Sequence, residues 1–312
     1  MDPEPIPVLI LFGPTASGKT QILLELFNSK NEIKAEVVSA DSMQVYRGMD
    51  IGTAKPSAEE RALLPHHLID IRDPSQQFNA GDFVRLADEA CEEIAGRGKL
   101  PVVSGGTGFY LKNFIMGLSE APPSSEEIRA ALKHELKEKG AAALMDELAA
   151  GDAASAKRIH LNDEYRLLRA LEVLRCSGKP LSSFEANKKG VRHHFLIIGI
   201  SRPREELYRR INERCAQMFR QGLPDEVRSL YEKGYTPDDP GLRAIGYREF
   251  FVEDSGSWRL SQDIDGVQAL AAQNSRRYAK RQLVFFTGIP DVKWIKADGD
   301  IKKTAQLIKD LI

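Results

Sequence analysis

Residues 8–27 read VLILFGPTASGKTQILLELF, an apolar run, a glycine loop and a helix-like run in succession. Val8 to Phe12 is short, apolar and partly β-branched, whereas residues 21–27 place apolar side chains at helical spacing. Gly13 to Thr20, between them, fits the pattern G-x4-G-K-[ST]. A loop of this kind between a strand and a helix turns backbone N–H groups and the helix N-terminus toward a polyphosphate. The stretch therefore predicts a phosphate loop.

The loop offers an anion both backbone and side-chain groups. Its glycines let the backbone curl, the Lys19 ammonium adds charge, and the Thr20 hydroxyl can bind Mg²⁺. The same motif also fits a glycine turn that only caps a helix, and it does not decide whether phosphate is transferred, hydrolysed or released. The candidate diphosphate-binding residues are Gly13, Pro14, Thr15, Ala16, Ser17, Gly18, Lys19 and Thr20.

Further apolar runs alternate with helix-like stretches beyond the loop. Val37–Val38, Leu68–Ile71 and Leu100–Val103 predict strands, and Asp82 to Ala95 predicts a helix. Such alternation is typical of a parallel sheet covered by helices. We therefore predict an α/β fold, with a P-loop NTPase-like parallel sheet flanked by helices.

A helical insertion is expected after Pro122-Pro123. Residues 124–150 are rich in Ala, Glu, Lys and Leu, and they contain no strand-like run. Downstream we predict a strand, two long helices and a late strand at 195–200, 203–220, 266–286 and 292–295, before a terminal helix. These elements imply a catalytic core of residues 1–121 and 195–312 and an inserted helical domain of residues 122–194.

Composition excludes several classes of protein. The chain has 312 residues, 42% of them hydrophobic, with a net charge of -1, so disorder and a generally basic coat are disfavoured. No apolar run approaches the roughly 18 residues of a membrane span, and the start, MDPEPIP, is not a secretory signal. The 3 cysteines form no CxxC pair. We expect a cytoplasmic protein that does not enter a membrane.

Asp41 follows the predicted strand Val37–Val38, where strand ends of a doubly wound sheet point into the binding crevice. An Asp at this position is also typical of a helix cap. A P-loop kinase usually ends a later strand in an acid that organises Mg²⁺. Here Val103 continues into SGGTG without a carboxylate, which leaves Asp70 as a substitute. Phosphoryl transfer is therefore incompletely supported.

Arg214 is a further candidate, because it lies at the edge of an apolar stripe on the predicted helix 203–220. A guanidinium that faces inward needs an anion. The alternative is an arginine whose stem packs while its head reaches water.

Several longer blocks occur in order: GPTASGKT (13–20), DSMQVYRGMDIGTAKP (41–56), HHLIDIRDP (66–74), GGTGFY (105–110), RIHLNDEYRLLRALEV (158–173), LRAIGYREF (242–250) and RRYAKRQ (276–282). Together they resemble the tRNA dimethylallyltransferase family, also called tRNA isopentenyltransferases. The resemblance covers nearly the whole chain. Eukaryotic members often append a zinc finger, which this sequence lacks, so the bacterial type is expected.

The resemblance implies transfer of a dimethylallyl group from dimethylallyl diphosphate to N6 of adenosine 37, in tRNAs that read codons beginning with U. It implies that Asp41 accepts the proton of the adenine amino group and that Thr107 lies at the reaction centre. Lys19, Thr20 with Mg²⁺, and Arg214 then hold the departing diphosphate. Without the resemblance, Thr107 is equally well a turn residue between glycines.

Residues 273–282 carry four positive residues and no acid, as expected of an RNA-binding face. The family pattern implies tRNA contacts by Asp41, Ser42, Met43, Gln44, Thr107, Arg129, Tyr165, Arg166, Leu167, Leu168, Arg169, Arg243, Gly246, Tyr247, Arg248, Arg276, Arg277, Lys280, Arg281 and Gln282. Gln44 is a candidate to read the adenine edge, and Tyr46 fits either stacking or core packing. After AKRQ the family commonly continues with Thr-Trp, whereas this sequence has LVFFT, so Val284 to Thr287 carry no assigned contact.

Three alternatives stay open at this point. A free adenine nucleotide is another acceptor for the same chemistry, although the helical insertion and basic segments favour tRNA. A small-molecule P-loop kinase and a non-catalytic RNA-binding protein with a nucleotide switch also fit the loop. For the leading hypothesis we expect Mg²⁺ bound through diphosphate oxygens, and a monomeric enzyme.

Overall fold

The chain divides into two units in the computed structural model, which describes residues 5–27, 32–184 and 193–312. The core unit comprises residues 1–115 and 190–312, and the helical unit comprises residues 116–189. The sequence-based boundaries of 122 and 194 differ from this division by several residues. In particular, His193 and His194 already belong to a strand of the core unit.

The strands are β1 (Ile6–Phe12), β2 (Ala35–Ala40), β3 (His66–His67), β4 (Leu100–Gly105), β5 (His193–Ser201), β6 (Phe251–Asp254), β7 (Ser257–Leu260) and β8 (Lys293–Lys296). The helices are α1 (Lys19–Phe27), α2 (Ala58–Leu63), α3 (Ala80–Gly96), α4 (Gly108–Met116), α5 (Glu126–Gly151), α6 (Ala153–Arg158), α7 (Glu164–Ser177), α8 (Arg204–Arg220), α9 (Leu223–Glu232), α10 (Ile264–Phe286) and α11 (Ile301–Lys309).

Six parallel strands form the main sheet of the core unit, in the order β3-β2-β4-β1-β5-β8. The prediction of a parallel α/β sheet is confirmed. β1 is central, and its apolar run is buried because helices cover both faces. β6 and β7 form a separate antiparallel hairpin.

The register of the sheet brings three strand ends together. Phe12 of β1 and Ala40 of β2 both lie opposite Gly105 of β4. A side chain at Gly105 would collide with the Ala40 backbone, so the close approach of β2 and β4 requires glycine here. Because parallel strands end at one edge, the residues that follow, including Gly13 and Asp41, leave the sheet side by side.

The predicted strand at Leu68–Ile71 is wrong. β3 is confined to His66–His67, because Leu68 and Asp70 have left-handed φ angles of 61° and 58° that a strand does not accommodate. Ion pairs explain the turn, since the Asp70 carboxylate lies 2.6 Å from Lys55 Nζ and 3.1 Å from Arg61 Nη1. Both oxygens of the Asp70 carboxylate are therefore engaged by cations of the protein, which does not favour its substitute role in binding Mg²⁺.

The helical unit packs α5, α6 and α7 around a leucine core. α5 is interrupted at Gly140, which has a φ of 77°. Ser125, Asp152 and Asp163 cap the three helix N-termini through their side-chain oxygens. The core includes Leu132, Leu144, Leu148, Leu167, Leu168 and Leu171. Within the ranges given above, none of the helices combines the length and apolarity of a membrane span.

Candidate active site

A cavity of about 670 Å³ opens at the edge of the core unit where β1, β2 and β4 end. Its lining includes Thr15 to Thr20, Asp41 to Gln44, Gly106, Arg214, Arg243, Gly246, Arg281 and Gln282. Residues that are far apart in the sequence thus meet around one volume. Gly13 and Pro14, the first two residues of the loop, are buried.

The phosphate loop is held by its own lysine. Lys19 Nζ donates to the carbonyl oxygens of Gly13 and Pro14, at 2.9 and 3.1 Å. Burial, followed by the charge of Arg214, lowers the pKa of Lys19 to about 8, while Asp41 opposes the shift. Lys19 is therefore a desolvated cation whose hydrogen bonds go to neutral oxygens, and an anion in the cavity stabilises its charged form.

Three arginines of the β5–α8 region contact the loop from one side. Arg214 Nη2 donates to Thr15 Oγ1, Arg210 Nε to Ala16 O at 2.8 Å, and Arg202 Nε to Ser17 O at 2.7 Å. Burial lowers the pKa values of Arg214 and Arg210, and Asp41 partly offsets the shift at Arg214.

Arg214 therefore points inward, and the alternative of an arginine that reaches water is wrong. Sequence reasoning missed Arg210 and Arg202. The available signal was the spacing on α8, because residues 210 and 214 lie one turn apart on the same face.

Asp41 acts as a cap and also faces the cavity, the two interpretations that the sequence left open. Its Oδ1 accepts from the backbone N–H groups of Met43 and Gln44, at 2.9 and 3.3 Å, in the manner of a cap. Its Oδ2 receives no hydrogen bond from the described residues. One oxygen fixes the side chain, and the other is left for a ligand.

Thr107 fastens the Asp41 segment to the end of β4. Its Oγ1 accepts from the Ser42 backbone N–H at 3.0 Å and donates to Ser42 Oγ at 3.4 Å. The Thr107 backbone N–H also donates to Ala40 O at 3.1 Å. Thr107 therefore hydrogen-bonds Ala40 and Ser42, the two residues that flank Asp41 in the sequence. It is both a turn residue and a neighbour of the candidate reaction centre.

The amide of Gln44 is already engaged. Its Nε2 donates to the carbonyl oxygens of Thr53 and Ala54, both at 3.3 Å, and its Oε1 accepts from Ser39 Oγ at 3.0 Å. Both N–H donors are thus used within the protein. The expectation that Gln44 donates to an adenine edge does not fit this arrangement, although Oε1 can accept a second hydrogen bond.

Glu226, which sequence reasoning missed, holds in place the loop whose residues Thr53 and Ala54 accept hydrogen bonds from Gln44. Its carboxylate accepts from the backbone N–H groups of residues 50, 51 and 52, at 3.0, 2.8 and 3.3 Å. The Tyr247 hydroxyl donates to Glu226 at 2.6 Å, and the Tyr247 ring packs so closely on Gly52 that a side chain there would collide with it. Tyr247 is fully buried, so its side chain offers no exposed surface for the expected tRNA contact.

The remaining candidates of the core unit differ in exposure. Arg277, Lys280 and Arg281 are exposed on α10, whereas Arg276 is half-buried and donates to Asn212. Gln282 is buried, with 4% of its surface exposed, so a direct tRNA contact is not available to it.

The 242–248 segment is also partly engaged within the protein. Arg243 is exposed but donates to backbone carbonyls at 237 and 238, and the Arg248 guanidinium lies 4.5 Å above the Trp258 ring. Gly246 is buried and donates its N–H to Glu249. Tyr46, left open by the sequence, is core, being 2% exposed.

The candidate residues of the helical unit fall into two groups. Tyr165 and Arg166 are exposed at the start of α7, with the Arg129 guanidinium 5.3 Å above the Tyr165 ring. Leu167 and Leu168 are buried in the leucine core, so their side chains are not available to RNA. That expectation came from a contiguous block of sequence, and helical periodicity turns half of such a block inward.

Arg129 and Arg169 converge on the buried carboxylate of Glu172, at 3.0 and 2.9 Å. Burial tends to raise the pKa of Glu172, but hydrogen bonds from Ser124, Arg169 and the Ser125 N–H more than offset it, and the net pKa is lowered. These two arginines are thus held by an acid of their own unit. The resemblance assigned both arginines to tRNA, and sequence reasoning missed this partner.

The donors around the loop fit a Mg²⁺ ion that is held mainly by a bound ligand. Thr20 lines the cavity, and the nearby Ser17 Oγ is buried without a hydrogen-bond partner in the part of the chain that the structure describes. No cluster of three or more His, Cys, Asp or Glu side chains suited to a metal occurs among the described residues. Ligand oxygens are therefore needed to complete such a site.

The fold and the cavity define a phosphate-loop α/β enzyme whose cationic pocket adjoins a single half-engaged carboxylate. The family model described as IPP transferase matches residues 44–288. The chain belongs to this family.

Named relatives agree with that membership. The tRNA dimethylallyltransferase of Geobacter sulfurreducens is 47% identical over 93% of this chain and 91% of its own length. That of Geobacillus kaustophilus is 43% identical over 92% of this chain and 89% of its own length.

Solved structures agree as well. The tRNA isopentenylpyrophosphate transferase of Bacillus halodurans has a TM-score of 0.68 at 38% identity, covering 97% of this chain and 94% of that chain. A eukaryotic dimethylallyltransferase acting on tRNA has a TM-score of 0.77 at 26% identity, covering 93% of this chain and 74% of that chain. The predicted family and the P-loop NTPase-like fold are confirmed.

Proposed function

We propose that this enzyme transfers a dimethylallyl group from dimethylallyl diphosphate to N6 of adenosine 37 in tRNAs that read codons beginning with U. The observation that carries the proposal is the juxtaposition, in one cavity, of desolvated cations around the phosphate loop and the carboxylate of Asp41. The cations stabilise a leaving diphosphate, and the carboxylate can accept the proton of an amine nucleophile. Family membership favours this reaction over phosphoryl transfer by a small-molecule kinase.

The nucleophile is weak, because the lone pair of an adenine amino group is delocalised into the ring. As N6 attacks the prenyl carbon, the N–C bond forms and the allylic C–O bond breaks. The proton of N6 passes to a general base, for which Asp41 Oδ2 is available while Oδ1 keeps the side chain in place. Transfer of this proton leaves a neutral modified adenine and a free diphosphate.

Negative charge grows on the diphosphate as the C–O bond breaks, and fixed donors around it lower the barrier. Lys19 and Arg214 supply full charges in a desolvated setting, and the backbone N–H groups of the loop supply partial ones. We propose that Mg²⁺, held by Thr20 Oγ1 and diphosphate oxygens, neutralises part of the same charge when it is bound. A bound diphosphate is expected to draw Lys19 away from the carbonyl oxygens of Gly13 and Pro14.

We infer that the target base leaves its stack to reach the cavity, since the carboxylate lies at the end of a buried sheet. The exposed Arg277, Lys280 and Arg281 suit the phosphates of an anticodon loop. Tyr165 and Arg166 offer a similar surface on the helical unit. We propose that the enzyme acts as a monomer in the cytoplasm.

Incubation with labelled dimethylallyl diphosphate and unmodified tRNA tests the proposal. Label at adenosine 37, detected by nuclease digestion and mass spectrometry, is the expected result. Transfer to a free adenine nucleotide but not to tRNA would reassign the acceptor. Binding of tRNA that is indifferent to the diphosphate and yields no product would instead point to a non-catalytic RNA-binding protein.

A further inference from the structure

Gln282 bridges the two sides of the candidate active site. Its Oε1 accepts from the Thr15 N–H of the phosphate loop at 2.9 Å, and its Nε2 donates to Gly106 O at the end of β4 at 2.8 Å. Gln282 thus contacts a loop residue that lies 267 positions before it in the sequence and a strand-end residue that lies 176 positions before it. With 4% of its surface exposed, Gln282 sits inside the protein, where a lost hydrogen bond is not replaced by water.

The environment of the bridge leaves little freedom. A Cβ at Gly106 would lie 2.5 Å from Gln282 Nε2, so only glycine allows this approach. Tyr278, one turn earlier on α10, places its hydroxyl 3.5 Å from the same Gly106 oxygen. Burial raises the pKa of Tyr278 to about 12, so its hydroxyl stays protonated and acts as a donor.

The residue that follows Gly106 is Thr107, which holds the Ser42 N–H beside Asp41. Gln282 therefore sets the separation between Thr15, which belongs to the diphosphate cradle, and the segment that carries the candidate base. Misplacement of a reacting group by about 1 Å can cost about 10²-fold in rate. A side chain in this position acts on the chemical step through its hydrogen bonds to Thr15 and Gly106.

We propose that Gln282 is a positioning residue. It couples the phosphate loop to Gly106 and Thr107 and, through Thr107, to the segment that carries Asp41. Because Gln282 lies on α10, the helix that also exposes Arg277 and Lys280, RNA bound to that face and the reaction centre share one rigid element. This role rests on the proposed function, and it replaces the direct tRNA contact expected from the sequence.

Two substitutions separate the hydrogen bonds from the shape of the side chain. Gln282→Met keeps a similar length and removes both bonds, whereas Gln282→Glu keeps the acceptor for Thr15 and replaces the donor to Gly106. Gln262→Met is the matched control, because Gln262 is exposed just before the same helix and outside the 273–282 stretch. Circular dichroism and thermal melting identify any variant that fails to fold.

The first measurement is the single-turnover rate at saturating tRNA and dimethylallyl diphosphate, alongside the Kd of an anticodon stem-loop. For Gln282→Met we expect a rate about 10- to 100-fold lower and an unchanged stem-loop Kd. Gln262→Met should alter neither. An unchanged rate would overturn the proposal, as would a stem-loop affinity that falls while the saturated rate is preserved.

The pH profile of Gln282→Glu supplies a readout that a general loss of structure does not reproduce. A carboxylate at this position repels the Gly106 oxygen, whereas the protonated acid can donate to it. We therefore expect the ratio of the variant rate to the wild-type rate to rise as the pH falls. A ratio that is constant with pH would contradict a donor role for the amide.

Calorimetric binding of inorganic diphosphate separates this inference from the proposed function. If the wild-type protein transfers no prenyl group, the proposed function fails, while the bridge still predicts weaker diphosphate binding by Gln282→Met than by Gln262→Met. Equal diphosphate affinities in that case would remove the inference as well.

Discussion

Lys19 and Arg214 at the phosphate loop and Arg129 and Arg169 in the helical unit are bound in opposite ways. Lys19 donates to two backbone carbonyl oxygens, and Arg214 donates to a threonine hydroxyl. Asp41 attracts both cations, but no hydrogen bond joins it to either within the described residues. In the helical unit, Arg129 and Arg169 lie 3.0 and 2.9 Å from the fully buried carboxylate of Glu172.

The difference distinguishes a binding site from a structural ion cluster. A desolvated cation with neutral partners costs free energy until an anion arrives, whereas a cation paired with a buried acid is compensated in the folded chain itself. The resemblance assigns both groups to ligands, the first to the diphosphate and the second to tRNA, so it treats them alike. Their partners show that the first set is prepared for a ligand and that Arg129 and Arg169 hold the helical unit together.

The largest effect is expected for Asp41→Asn. The amide oxygen can still accept from the Met43 N–H, so the local turn is kept while the base is lost. We expect the single-turnover rate to fall by about 10²- to 10⁴-fold, with diphosphate and tRNA affinities nearly unchanged. Asp146→Asn, on an exposed face of the helical unit, is the control. A near-normal rate would show that another group accepts the proton.

Glu172→Gln tests the helical side of the comparison. Loss of the carboxylate leaves Arg129 and Arg169 partly buried without their acid, and breaking a buried pair costs about 3–5 kcal/mol. We expect the free energy of unfolding of the helical unit to fall by a sizeable part of that amount in urea denaturation. Glu138→Gln, which removes an exposed pair with His134, should change it little. Equal effects of the two variants would refute a structural cluster.

Arg214→Met tests the loop side directly. Removal of a desolvated cation without a hydrogen-bonded acid should leave the melting temperature unchanged or raise it. Diphosphate affinity should fall about 10- to 100-fold, the usual range for a charged hydrogen bond. Arg169→Met is the matched variant, and it should lower the melting temperature without weakening diphosphate binding. If both variants destabilise the protein equally, the contrast between the two regions does not hold.

The smallest expected effect is a pH dependence at Lys19. Burial lowers its pKa to about 8 in the free protein, and a bound anion raises it, so the charged form that favours binding is half populated at pH 8 and nearly complete only well below it. As the pH rises above 8, diphosphate affinity should decrease by up to about tenfold per unit. Calorimetry across this range checks the slope. Lys19→Arg, which stays charged, should bind with a flatter profile, and an equally steep one would assign the titration to another group.

Local patterns were sufficient for much of the fold. The succession of strand, loop and helix at residues 8–27, and the alternation beyond it, predicted a parallel sheet, which the structure confirms. The strand-end rule placed Asp41 beside the loop, because the geometry of parallel strands does not depend on which side chains later surround them. The stripe on α8 made Arg214 a candidate to face inward, but left open an arginine whose head reaches water.

Partners distant in the sequence were not predictable in this way. Leu68–Ile71 has strand-like composition, yet ion pairs of Asp70 with Lys55 and Arg61 accompany left-handed backbone there. Tyr247 and Leu167 lie in family-like blocks, but burial removes their side chains from any RNA surface. Resemblance identifies a block of residues, while packing decides which of them remain accessible.

The amino-acid sequence by itself determined the phosphate loop, the type of sheet and the position of the candidate base, since each depends on short-range periodicity and on chain geometry. Only the tertiary structure decided that Gln282 meets Thr15, that Glu226 holds residues 50–52 near Gln44, and that Glu172 pairs with two arginines. The physical reason is that desolvation and hydrogen bonding are properties of the folded environment. A side chain acquires its charge balance from neighbours that the linear order of the chain does not reveal.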